Sequence, residues 1–453
     1  MAQTLLSLSL VALKEIIEGD IPFRIAIKNL SRNDKTITPE LLGGVSAILG
    51  ANLRHHFLLE ELLNREFEEL IGDDRYLMSI FLSDTLFSKK LIFDDIEKEL
   101  GETLSNKELD LKSIYFKYSS FDSIAFFKKD KDEGKISNFE FLSIRYNTPI
   151  WLIKMWDKHF PKSLLGILKK NIVVSDTSLA INTKRISLEE VLASNPAFSK
   201  SLAFDDMVLY KGKKAKNLEL VLNNTLYPLR ESERAIFEDI NIDDGDKIII
   251  YSEQGGNNLY HKVRELINAT NWVKFLTTSY EDYRKARNFI AQENEREQKT
   301  RNNFVTYRTE RKDMCTCLLS NAKYVEEDKK DEEKLNDYFF LLPDSSNFDE
   351  IRHSPDYLLH FKKDKFDELI NNQKSLILEA KEYLRVGGKI IYAVPTLNNK
   401  EGRSLINGIL RENADLALVK DRQFFPYSDE YHSSLYFAIL EKKGLEESND
   451  ESL

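Results

Sequence analysis

The chain has 453 residues, which at roughly 150 per domain allows about three domains with full cores. Hydrophobic residues make up 42% and charged residues 31%, a globular balance, and no stretch approaches the roughly 20 apolar residues of a membrane-spanning helix. The 65 basic and 75 acidic residues leave −10, which excludes a chain that coats nucleic acid along its whole length and requires any RNA-binding face to be local.

From the N-terminus, Thr4–Leu13 is apolar enough to mimic the core of a secretory signal. No basic stretch precedes it, no small-residue cleavage site follows, and Lys14 and Glu15 continue a helical pattern, so it reads as a buried first helix. No proline interrupts the chain between Pro39 and Pro149, and Pro39-Glu40-Leu41-Leu42 leads into Val45, Leu49, Leu53 and Phe57 at helical spacing. Residues 1–139 read as an all-α domain. The charged run Lys128–Lys135, with Gly134 inside it, reads as an exposed linker or turn near that domain's end.

Residues 140–225 read as a small basic connecting module. Between 151 and 216 there are twelve Lys/Arg against six Asp/Glu, a local +6 inside a chain of −10. Trp151, Trp156, His159 and Phe160 lie among the first of these charges, a mixture that suits phosphate contact with base stacking and equally suits a small helix packed on a core.

From 226 to 444 the pattern alternates. Lys247-Ile248-Ile249-Ile250-Tyr251 is followed by Gly255-Gly256, a helix through Val263, Leu266 and Ile267, and a second strand Trp272–Leu276. Tyr338–Leu342 reads as a buried strand, and Phe366, Leu369, Ile370, Gln373, Leu376, Ile377, Ala380 and Leu384 form a helical stripe stopped by Gly387-Gly388. The strand Lys389–Val394 follows at once. Alternating strands and helices predict a mostly parallel, doubly wound sheet with its ligand at the carboxyl ends of the strands. The only cysteines, Cys315 and Cys317, provide neither a disulfide framework nor a zinc knuckle, which suits a reducing cytoplasm; they read as two structural thiols on one face of a strand or turn. His261 and His353 lack the spacing of a metal site or triad and read as packing or surface residues. Glu326–Lys334 reads as a solvated loop, and residues 445–453 as a frayed acidic tail.

This order of parts resembles the bacterial 16S ribosomal RNA cytosine-C5 methyltransferases of the RsmB (Sun/Fmu) type. The resemblance is carried by Arg352-His353-Ser354-Pro355-Asp356, Gln373-Lys374, Leu384–Tyr392, Thr396-Leu397-Asn398 with Glu401, Gln423–Pro426 and Leu435–Leu440. Leu53-Arg54-His55-His56 resembles the signature of the NusB-like helical domain that precedes the catalytic half, Pro149-Ile150-Trp151-Leu152 its entry segment, and Ala180-Ile181-Asn182-Thr183 a further strand. The resemblance implies a multidomain chain: an N-terminal all-α NusB-like domain and a C-terminal α/β Rossmann-like class I methyltransferase fold. It also implies S-adenosylmethionine as cofactor and small-subunit ribosomal RNA as substrate.

The family's chemistry needs one cysteine thiolate to attack C6 of cytosine and a second to release the product. Pro395 and Asp344 stand at those two positions, so no catalytic residue is assigned. Proline carries no nucleophile, and a carboxylate is a far poorer one than a thiolate. In the loop aligned with the family's cofactor motif the glycines Gly255 and Gly256 remain, and Glu253, Gly255, Gly256 and Thr277 are the candidate cofactor contacts. Thr277 lies where an acid should hold the ribose hydroxyls. Lys154, Lys158, Lys211, Lys213, Lys214, Lys216 and Arg352 are the candidate RNA contacts, and no metal ligands are assigned. The residues together point to a cytoplasmic RNA-binding relative that kept the fold without the catalysis. An active S-adenosylmethionine-dependent methyltransferase, and a NusB-like docking factor for a transcription or ribosome-assembly protein, are the two alternatives.

Overall fold

A computed structural model describes residues 4–444 apart from 174–175, 213, 254–257, 268–270, 279–280, 282–283, 290–291, 293–314, 319–335 and 429. Gly255, Gly256, Lys213, the Glu326–Lys334 run and the acidic tail therefore lie outside the described residues. The chain divides into two compact units, residues 1–174 with 350–363, and residues 175–349 with 364–453.

The first unit is helical. Its opening helix, Leu5–Ile17, begins at a capping box in which Thr4 and Ser7 satisfy one another's backbone N–H groups. Leu6, Ala12, Leu13 and Ile16 are buried along one face, so the apolar stretch is a core helix. Thr38 caps Pro39–Arg54, which buries Val45, Ile48, Leu49 and Leu53. The charged run at 128–135 is the last turn of the helix Ser123–Asp132 and the turn after it; Asn138–Tyr146 then starts at a second capping box, Ser137 with Glu140. The helix Phe23–Asn33 has no side-chain cap of its own. Asp356, more than 300 residues later, accepts a hydrogen bond from the Phe23 N–H at 2.7 Å, and His360 lies between Asp356 (3.1 Å) and Asp20 (2.6 Å). A long-range contact here does what an N-cap residue does locally.

The second unit holds two sheets. Strands β1 (Thr177–Ile181), β2 (Phe198–Lys200), β3 (Met207–Tyr210) and β4 (Leu226–Pro228) form an antiparallel sheet in the order β2-β3-β1-β4. Strands β5 (Lys247–Ser252), β6 (Trp272–Thr277), β7 (Cys315–Leu318), β8 (Asn336–Leu342), β9 (Leu384–Val394), β10 (Leu416–Phe424) and β11 (Leu435–Lys442) form the larger sheet, ordered β10-β11-β9-β8-β5-β6-β7. The pairs β5/β6, β5/β8 and β8/β9 are parallel, while β7, β10 and β11 run antiparallel to their neighbours, so the sheet is mixed.

Alternation along the strands divides the core into two layers. Ile248, Ile250 and Phe340 pack with Leu259 and Val263 on one face. Ile249, Tyr251, Phe339, Leu341 and Tyr392 pack with Ile377, Ala380, Ile406 and Ile409 on the other. Strands buried on both faces read as continuous apolar runs, which is why they were visible in the sequence. Gly387-Gly388, expected to stop the preceding helix, instead lies inside β9; the helix Lys365–Glu382 has already ended at Tyr383. Gly387 has φ +81°, and a Cβ on Gly388 would lie 2.8 Å from the Asn336 carbonyl oxygen, so both glycines serve the irregular β8/β9 pairing at that point.

Candidate functional site

The four parallel strands β5, β6, β8 and β9 bring Ser252, Thr277, Leu342 and Val394 to one edge of the sheet. Strand order reverses between β5 and β8, and an open α/β sheet has its ligand crevice at such a reversal. Glu253 spans this point. Its N–H donates to the Leu342 carbonyl at 3.0 Å, and its carboxylate accepts from the Asp344 N–H (2.9 Å), Asn372 Nδ2 (2.9 Å) and the Tyr251 hydroxyl (2.9 Å).

Beside it lies a buried polar network centred on Glu401, which is 0% exposed and follows β9. One carboxylate oxygen accepts from the Ser346 N–H (2.7 Å) and Gln373 Nε2 (3.1 Å), the other from the Thr396 hydroxyl (2.9 Å) and Asn398 Nδ2 (3.2 Å). The Tyr392 hydroxyl donates to the Glu401 carbonyl at 2.7 Å and lies 3.0 Å from Gln373 Oε1; burial holds this phenol well above its usual pKa, so it stays protonated. Ser346 and Thr396 hydroxyls lie 2.8 Å apart. A carboxylate taken wholly out of water is tolerable only when donors replace the lost hydration, and these four do so.

The network joins the loops after β8 and β9, the two that carry the positions at issue. Asp344 is exposed; its N–H binds Glu253 and its carbonyl accepts from Gln373 Nε2 at 2.8 Å. Pro395 is half-buried and is followed directly by Thr396 of the network. The loops after β8 and β9 are thus tied to one another, and they carry a carboxylate at Asp344 and an imino acid at Pro395.

Thr277, at the end of β6, is buried and pairs with Ser252 on one side and Cys315 on the other. Neither it nor the exposed Thr278 supplies a carboxylate, and the acid of Glu253 is already engaged by three internal donors. The described residues at this edge do not fit the ribose-binding role that S-adenosylmethionine requires. Cys315 and Cys317 lie in β7, antiparallel to β6 at the rim of the sheet. That strand is three positions from β8, roughly 14 Å at about 4.8 Å per strand, too far to substitute for a thiol in the β8 loop.

The lysines Lys154, Lys158, Lys211, Lys214 and Lys216 are exposed. Lys154 and Lys158 belong to the first unit, on the helix Ile150–His159, and Lys154 Nζ lies 5.7 Å from the centre of the Phe139 ring. Lys211, Lys214 and Lys216 follow β3 in the second unit. Arg352 is 3% exposed. Trp156 is fully buried, and Trp151 is half-buried with its ring stacked 6.4 Å from Phe361, so both tryptophans pack the helical unit rather than presenting faces for bases. His261 is buried and stacked on Tyr227 at 4.8 Å, a packing residue. Gln373, Asn398 and Glu401 were legible as motif residues, but their convergence on one carboxylate, together with Ser346, Tyr392 and Thr396, carried no signal in linear spacing.

No protein-family profile matches the chain. A 70-residue stretch, 16% of this chain, is 31% identical to the ribosomal RNA small subunit methyltransferase F of Erwinia tasmaniensis and spans only 15% of that protein's length. A solved structure described as PH0851 superposes over 98% of this chain and 100% of its own, with a TM-score of 0.67 and 14% identity. A methyltransferase homologue from Pyrococcus horikoshii covers 68% of this chain and 100% of its own at TM-score 0.51 and 12% identity. NSun6 from Pyrococcus horikoshii, solved with SFG, covers 66% and 100% at TM-score 0.50 and 13% identity. The helical region followed by a mixed α/β sheet is thus a methyltransferase fold, as the resemblance implied.

Proposed function

We propose that this chain, which its fold and local sequence match support as a member of the RsmB/Sun type of RNA methyltransferases, binds RNA through local basic faces and transfers no methyl group. The observation that carries this reading is the buried Glu401 network, which holds the two reaction-centre loops in place while they present Asp344 and Pro395. Loss of a covalent nucleophile removes a pathway rather than trimming a barrier; in triad hydrolases it costs about 10⁶ in rate. Glu253, tied to both crevice strands, further supports a site whose cofactor chemistry has been given up. Small-subunit ribosomal RNA is the substrate class that the family suggests.

Two separate basic faces are drawn, the exposed Lys154 and Lys158 in the helical unit and the exposed Lys211, Lys214 and Lys216 in the α/β unit. Each phosphate neutralised on single-stranded RNA contributes about −0.7 to the slope of log affinity against log salt, so these five lysines predict a slope of roughly −3.5. Filter binding of unmodified small-subunit RNA across a salt series is expected to give that dependence. Charge reversal at Lys211, Lys214 and Lys216 is expected to flatten it by roughly 2. Affinity independent of salt would favour the protein-docking alternative. Calorimetric titration of S-adenosylmethionine, run beside a tritiated methyl-transfer assay, tests the other half: no incorporation is expected, and incorporation with tight cofactor binding would overturn the non-catalytic reading.

A further inference from the structure

The helical unit contains a cavity of about 210 Å³ that the reading above does not use. It opens between the helices Leu5–Ile17, Pro39–Arg54, His56–Glu66 and Gly72–Ser83. Leu13, Ile17 and Tyr76 form apolar and aromatic walls, and Asn52, Ser79 and His56 supply an uncharged polar edge. His56 belongs to the Leu53-Arg54-His55-His56 signature, and the two histidines differ in place: His55 stacks on Phe87 at 3.7 Å, while His56 lines the cavity.

The polar groups are unevenly paired. Asn52 is 1% exposed; its Nδ2 donates to the Ser79 hydroxyl oxygen at 2.8 Å, and its Oδ1 accepts from no described residue. An amide oxygen at an open cavity wall is available to whatever enters, and a ligand N–H that takes the place of water there adds direction to binding. Ser79, having accepted that bond, has its own hydroxyl proton to give. Burial pushes the His56 imidazole below its ordinary pKa, with Arg75 adding to the effect against the opposing charge of Glu60, so the ring is neutral and offers one donor and one acceptor. The two charges at the cavity cancel: Arg75 Nη2 donates to Glu60 at 2.7 Å and to Asn64 Oδ1 at 2.7 Å.

We propose that this cavity takes a single nucleobase. The lining asks for an uncharged planar ligand whose edge sets an N–H donor, for Asn52 Oδ1, beside an acceptor, for the Ser79 hydroxyl. The N–H/C=O edge of a base has that pattern, and its faces suit Tyr76 and the aliphatic wall. Size decides against anything larger. Drug-sized ligands occupy about 300–1,000 Å³, whereas 210 Å³ corresponds to roughly seven waters, space for a base with its sugar phosphate left outside. A phosphate inside would find the lining cation, Arg75, already paired with Glu60, and nearby Lys14 paired with Asp73. The site stands on this geometry alone; only the view that the base belongs to an RNA strand rests on the RNA-binding reading.

The test is calorimetric titration of the full chain with uridine, cytidine, adenosine and guanosine separately, then with single-stranded RNA octamers. At least one nucleoside is expected to saturate at or below about 1 mM, and Asn52→Leu to weaken it at least about tenfold. Ser79→Ala, which leaves the cavity open, is expected to weaken the same nucleoside and serves if Asn52→Leu alters the thermal melt. Octamers binding more tightly than nucleosides, and losing that gain in Asn52→Leu, would identify an RNA strand as the source; nucleoside binding with no gain in octamers would identify free nucleosides. Charge reversal at Lys211, Lys214 and Lys216 is expected to leave nucleoside affinity unchanged, which separates this site from the basic faces. Absence of nucleoside binding at about 5 mM, or binding indifferent to both cavity variants, would overturn the proposal.

Discussion

Replacing Glu401 by alanine is expected to cost the α/β unit about 3–5 kcal/mol, because it strands four buried donors rather than removing one interaction. The Ser346 N–H, Gln373 Nε2, Thr396 hydroxyl and Asn398 Nδ2 all end on this carboxylate, and Glu401, Gln373, Thr396 and Asn398 are each 0% exposed, so water cannot replace it without opening the loops after β8 and β9. At roughly 2–4 °C per kcal/mol for a domain of this size, the corresponding melting transition should fall by about 10 °C. Glu401→Gln keeps the shape but turns an amide NH₂ toward groups that already donate, and is expected to lose about half as much. Urea titrations of both variants measure this, and a loss under about 1 kcal/mol for the alanine variant would show that the network is not what holds the two loops. Hydrogen exchange at Ser346 gives a second reading, since its N–H loses the Glu401 carboxylate as acceptor.

Acid is expected to destabilise the same unit through His261. Burial, with the charge of Arg185 adding to it, pushes this imidazole down to about 3 from its ordinary 6.5. The unfolded chain binds a proton below pH 6.5 that the folded chain refuses until about pH 3. Stability is therefore full above 6.5 and falls as pH drops through that window, at about 1.4 kcal/mol per unit. From pH 6.5 to 5 that amounts to roughly 2 kcal/mol. Glu265, on the same helix, is pushed up by burial and works in the opposite direction as it takes up its proton. The histidine contribution is isolated by His261→Phe, which keeps a ring against Tyr227 and Tyr260 and cannot take a proton. Denaturant midpoints at pH 7.5, 6.5, 5.5 and 5.0 should diverge between the native chain and this variant by that amount; parallel curves would exclude His261 as the titrating group. In the helical unit His55, held down to about 4 mainly by burial, titrates with the same sign, so the two units must be followed by separate probes.

Much of the fold was legible because it is local. The apolar first helix from Thr4, the helix start at Pro39, and apolar runs such as Ile248–Tyr251 and Phe339–Leu342 state helices and buried strands within a few residues. The same locality misled at Gly387-Gly388, where a helix stop and a strand irregularity present the same two letters. It left Trp151 and Trp156 undecided between stacking platforms and core, because a tryptophan among lysines reads alike in both settings until its neighbours are known.

By itself the sequence determined which residue types the loops after β8 and β9 carry: Asp344 and Pro395 stand there, and the chain's two cysteines, Cys315 and Cys317, lie elsewhere in the sequence. Only the tertiary structure decided what was done with the rest. Asp356 caps a helix more than 300 residues away, Ser346, Gln373 and Asn398 meet on Glu401, and Asn52 of one helix faces His56 and Arg75 of two others across a cavity. Each depends on chain closure that brings distant polar groups into low dielectric, where an unmade hydrogen bond is costly, and linear spacing carries no record of that closure.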